Sequence, residues 1–98
     1  MSVDTTAIIM RGFEIDKGTW NNLSWEFRDD WGVCFNDYHD EGPFVIGYRI
    51  QSCDVGIVKP LHSNVCGDPH WDNLFAEACR VNNISIKSFT TYFGVMLS

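Results

Sequence analysis

Asp68-Pro69 marks the place where the spacing of apolar residues changes. Beyond it Trp71, Leu74, Phe75, Ala78 and Cys79 recur at i, i+3, i+4, i+7 and i+8, which is one stripe of an amphipathic helix. Asp68 is a favourable N-cap, and Pro69 falls at the first helical position, where its missing N–H costs nothing. Asn82-Asn83 tolerates the left-handed conformation that ends helices, and Ile84 starts a new extended run. Before Asp68 the apolar residues are spaced for strands. Any fold of this chain must therefore lay one amphipathic helix against a sheet.

The strand signals come in short runs. Ala7 to Ile15 combines Ala-Ile-Ile-Met with Phe13 and Ile15, as a buried strand does, and Asp16-Lys17-Gly18 closes it as a turn. LSWEFR, residues 23 to 28, alternates strictly, with Leu23, Trp25 and Phe27 on one side. Trp20, Leu23, Phe27 and Trp31 also fall near one helical face, but the alternation favours a half-buried strand. Asp29-Asp30-Trp31-Gly32 then reads as a turn, and Val33 to Phe35 as the return strand of a hairpin. In FVIGYRIQ, Phe44, Ile46, Tyr48 and Ile50 share one face. Val55 to Val58 reads as a further strand, ended or confined to an edge by Pro60. Past Ile84 the phase slips near Ser88, as at a bulge or bend.

The expectation is an α+β fold, a mostly antiparallel meander with one helix packed on it, in the order β-β-β-β-β-α-β. There is no repeat, linker or low-complexity tract, and 98 residues suffice for one core, so residues 1–98 read as a single domain, alone or as a homodimer. Hydrophobic residues make up 45% of the chain and aromatic residues 14%, which argues against disorder.

Charge narrows the function. The net charge of -6 has the wrong sign for drawing a protein onto phosphate backbones, so direct nucleic-acid binding is not expected. Glu26, Asp29, Asp30, Asp37, Asp40 and Glu41 crowd one stretch, offset only by Arg28. The N-terminus has Asp4 before a short apolar run and no basic segment, so it does not read as a signal peptide, and no apolar stretch approaches the ~20 residues that cross a bilayer. A cytoplasmic protein follows as the default. Cys34, Cys53, Cys66 and Cys79 are then expected as thiols.

Three constellations carry chemistry. His62, Cys66 and His70 are residue types that zinc prefers, but they match no finger or ribbon spacing, and Gly67 and Pro69 keep them off one helix face. Cys66 also precedes a helix N-terminus, where a thiolate is favoured, although Asp68 competes for the same amides. Asp37, His39, Asp40 and Glu41 form the densest titratable cluster, which the Gly42-Pro43 breaker marks as a solvated turn. The chain contains no P-loop, GxGxxG, HExxH, GxSxG or SxxK pattern.

Trp31 among carboxylates is expected either to stand exposed as an anchor inside an acidic surface, because tryptophan is enriched at binding hot spots and charged rims steer partners, or to fold back over the sheet, because aromatic burial is strongly stabilising. In size and charge the chain resembles small inhibitory or immunity proteins and acidic nucleic-acid mimics, phage-borne ones included. The expected function is a non-enzymatic binding protein without a cofactor. It would use Trp25, Glu26, Asp29, Asp30, Trp31, Asp37, Asp40 and Glu41 to block a basic surface of another protein, such as one that binds nucleic acid. The alternatives are a zinc or cysteine-dependent protein built on His62, Cys66 and His70, and a domain whose aromatic walls sequester a nucleotide or other small ligand.

Overall fold

A computed structural model describes residues 5–36, 41–63 and 65–97. Along these residues the elements are β1 (Thr5–Ile15), α1 (Lys17–Asn22), α2 (Trp25–Trp31), β2 (Gly32–Cys34), β3 (Phe44–Asp54), α3 (Pro69–Val81) and β4 (Thr90–Leu97). The strands form one four-stranded antiparallel sheet in the spatial order β2-β3-β1-β4, so β1 and β3 are central and β2 and β4 are edges. The α+β class follows. The five-strand meander does not, because two of its strands take other conformations and the first strand sits in the middle of the sheet.

α3 forms where the period demands it. The Asp68 carboxylate accepts a hydrogen bond from the His70 N–H at 2.9 Å, Pro69 opens the helix, and Asn83 closes it at φ 58°. Phe75 and Cys79 on its stripe are wholly buried. A polar cluster ties the helix to the sheet. Arg11 Nε donates to both oxygens of Asp72 at 3.0 and 3.3 Å, and the Tyr48 hydroxyl donates to Asp72 Oδ1 at 2.5 Å. That hydroxyl also accepts from the Asp68 N–H at 2.9 Å, and burial, then the bond to Asp72, raises the Tyr48 pKa.

Residues 23 to 28 are a correction: they are helical, not extended. Asp16 caps α1 by accepting from the Thr19 N–H at 2.7 Å, and the Ser24 hydroxyl caps α2 by accepting from the Phe27 N–H at 3.2 Å. The helical phase turns Phe27 inward with Leu23 and Trp31 packed beside it, while Trp25, which a strand would have buried, faces solvent. Asp29-Asp30-Trp31 is accordingly the last turn of α2 and not a hairpin turn. The chain runs directly into β2, whose partner is β3 through Val33↔Val45 and Cys34↔Phe44. Gly32 permits this junction, since a Cβ there would lie 2.7 Å from the Trp20 ring.

Val55 to Val58 is the second correction. Val55 and Gly56, the latter at φ 83°, make a turn closed by the Ile57 N–H bonding to Asp54 O at 3.1 Å. The irregular segment that follows is tethered to β3 by side chains. Gln51 Nε2 donates to Pro60 O at 2.7 Å, and Lys59 Nζ to Ser52 O at 3.0 Å. The phase slip near Ser88 is the end of an irregular segment, residues 84–89, that hands over to β4. The register irregularity of the sheet lies elsewhere, at Ile9/Met10, where β3 carries an unmatched Ile50.

Both faces of the sheet are buried near its centre, which accounts for the unbroken apolar run Ile8-Ile9-Met10. One cluster, including Phe13, Phe44, Ile46, Tyr48, Phe75 and Cys79, fills the space under the helices. The other, Ile8, Met10, Val33, Phe35 and Val45, lies on the opposite face. The sheet curls over this second cluster until the Leu97 N–H reaches Phe35 O at 2.9 Å and Asn36 bridges Leu97. No helix among the described residues is long and apolar enough to cross a membrane.

Candidate functional site

The acidic residues come together on a helix. With Phe27 buried, the seven residues of α2 leave Trp25, Glu26, Asp29 and Asp30 exposed, as two i, i+4 pairs that form a ridge. Trp25 is 82% exposed, an unusual state for a side chain with so much apolar surface. It does not stand unsupported. The Arg28 guanidinium carbon lies 5.3 Å from the ring centroids of both Trp20 and Trp25, and Arg28 Nη2 donates to Asn21 O at 3.1 Å. The stacking fixes the direction in which Trp25 projects, although it leaves Arg28 Nε buried without a hydrogen-bond partner.

Two cavities flank the ridge. One of about 790 Å³ is lined by Trp20, Trp25, Arg28 and Met96 among others. The second, about 590 Å³, lies toward the start of α3 and is lined by Asp29, Asp30, Trp31, Tyr48, Arg49 and Trp71. Asp29 and Arg49 line both, so the cavities adjoin at these two residues. Aromatic rings wall the second one. Trp31 and Trp71 are 6.4 Å apart between centroids at 66°, and Tyr48 and Trp71 are 6.1 Å apart. Trp31 packs inward on Phe75 at 5.5 Å, which makes it a wall of the cleft and not a free-standing anchor.

Of the residues the sequence singled out, Trp25, Glu26, Asp29, Asp30 and Trp31 are thus assembled at one place. Glu41 is exposed and lines neither cavity, while Asp37, His39 and Asp40 lie outside the described residues. Tyr48, Arg49 and Trp71 are additions. Trp71 belongs to the apolar stripe of α3 yet is 46% exposed, with its ring against Tyr48 of β3, and its place on the stripe predicts burial instead.

His62, Cys66 and His70 do not form a ligand group. Among the described residues no three His, Cys, Asp or Glu side chains converge to hold a metal ion. The His62 N–H is engaged by Gln51 Oε1 at 3.0 Å, Cys66 is exposed, and the His70 ring packs edge-on against Trp71 at 6.0 Å. Asp68 supplies the cap that a Cys66 thiolate would need to share.

Comparison with known proteins finds no family model that matches this chain, and no curated protein or solved structure that is similar to it.

Proposed function

We propose that this chain is a non-enzymatic binding protein that covers a basic surface of another protein with the α2 ridge, in the manner of small inhibitory or immunity proteins. The observation that carries this reading is the exposed Trp25 beside Glu26, Asp29 and Asp30 on one short helix. An indole held by Arg28 meets a partner at little entropic cost, and the carboxylates around it raise the encounter rate with a cationic surface. The adjoining cleft suits an arginine or lysine side chain of that partner. Its three aromatic rings offer π faces to a cation, and Asp29 and Asp30 at the rim outweigh the single charge of Arg49.

The test is affinity capture from a lysate of cells that make the protein, washed through a salt series and repeated with variants. The expected result is a basic protein retained at low salt, lost as salt rises, lost with the double variant Asp29→Lys, Asp30→Lys, and kept by Lys59→Glu. Equal losses in the two variants, or retention indifferent to salt, would overturn the reading.

A further inference from the structure

β4 is the edge of the sheet opposite β2 in strand order, and the curl of the sheet brings its last residue back to Phe35. The register determines where its backbone groups point. The Leu97 N–H faces away from β1, because Phe35 O accepts it. Residues of an antiparallel strand alternate between exchanging hydrogen bonds with one neighbour and with the other. Thr91, Phe93 and Val95 share the phase of Leu97, so their N–H and C=O groups also point outward. Among the described residues, Leu97 alone of these is bonded on that side.

Natural sheets guard such an edge with charges, proline or bulges. β4, TTYFGVML, contains no charge and no proline, and it pairs with β1 in continuous register. Of its outward-phase side chains, Phe93, Val95 and Leu97 are apolar and exposed, with Phe93 at 74%. Phe93 lies next to Ala7, Ile9 and Leu61, which together line a small cavity on the same side of the sheet.

We propose that the chain forms a homodimer by antiparallel pairing of β4 with β4 of a second copy about a two-fold axis at Phe93. The edge is self-complementary under that operation. Phe93 meets its own counterpart, and Thr91 meets Val95 of the other copy in both directions, each pair exchanging two N–H···O bonds. Charge selects a second copy over a charged stranger. Two chains of net charge -6 repel least where they meet through uncharged side chains, and β4 itself carries no charge. The proposal uses a different edge from the basic-partner reading and stands without it.

Sedimentation equilibrium of the purified chain over a concentration series, with amide hydrogen exchange on the same samples, tests this. The expected result is a mass rising from monomer to dimer, together with protection of the Thr91, Phe93 and Val95 amides that grows with concentration. The Tyr92 and Gly94 amides, bonded to β1, should be protected throughout. Val95→Pro removes an outward donor and leaves the β1 ladder intact, so it should weaken association at least tenfold in a folded monomer. If circular dichroism shows that variant unfolded, Phe93→Lys decides, because it sets like charges opposite each other at the axis. Monomer mass at every concentration, a dimer undiminished in the folded variants, or a dimer without new protection at the three amides would each overturn the proposal.

Discussion

The helix-facing side of the sheet has two ends that behave differently. At one end Phe13, Ile46 and Tyr48 are sealed beneath α3 and tied down by Arg11 and Asp72. At the other, Phe93, Val95 and Leu97 stand exposed beside Ala7 and Ile9. The cause is length. α3 has 13 residues and rises roughly 20 Å, while the 11 residues of β1 extend about 36 Å, so one helix covers about half of the strand it crosses. Stability is concentrated where the helix reaches, and apolar surface is left for recognition where it does not.

If that division is right, the largest effect comes from emptying the covered end. Phe75 is fully buried, with its ring 5.7 Å from Phe13, 5.5 Å from Trp31 and 5.4 Å from Phe89. Phe75→Ala is expected to cost about 3 to 5 kcal/mol, through lost transfer energy and the cavity left behind. In a domain of this size that is a large share of the total stability. Urea denaturation followed by tryptophan fluorescence gives the value, and a loss below about 1 kcal/mol would mean that α3 does not seal the core.

A smaller effect at the same end depends on pH. Burial pushes the Cys79 thiol up from 9.0 to about 11, and burial together with Asp72 raises Tyr48 as well. Both groups hold their protons more tightly folded than unfolded. The Cys79 contribution is therefore complete below pH 9.0 and is lost as pH climbs toward about 11, by up to ~2 kcal/mol, while that of Tyr48 is lost only as pH rises past its ordinary 10.0. Thermal midpoints read by circular dichroism across that window should fall, and fall less steeply in Cys79→Ala. The slope is the readout, since that variant starts from a lower baseline.

The sequence was most legible at the covered end. α3 was readable at both boundaries, because Asp68, Pro69 and Asn83 impose local geometry that no tertiary contact overrides. The central strands were readable from apolar runs with few competing readings. α2 was not, because Leu23, Trp25 and Phe27 alternate as in a strand while Trp20, Leu23, Phe27 and Trp31 follow a helical face. Seven residues are too few for period alone to decide. The caps decided, and Asp16 and Ser24 were visible in the sequence as cap-forming residues. The acidic Trp-containing stretch was visible in the sequence but assigned to the wrong element. Its cleft partners Tyr48, Arg49 and Trp71 come from elements far along the chain, which no local pattern brings together.

The smallest effect should come from the uncovered end, and it separates folding from association there. Phe93 is as bulky as Phe75, yet truncating it removes little buried surface from the monomer. In dilute solution Phe93→Ala is therefore expected to change stability by less than about 0.5 kcal/mol. At concentrations where wild-type chains pair through β4, the same substitution should lower the apparent stability further, because association stabilises the folded state by mass action. Urea curves of wild type and Phe93→Ala should accordingly coincide at low concentration and diverge at high concentration. A gap that is large at every concentration would place Phe93 in the folding core and erase the distinction between the two ends of the sheet.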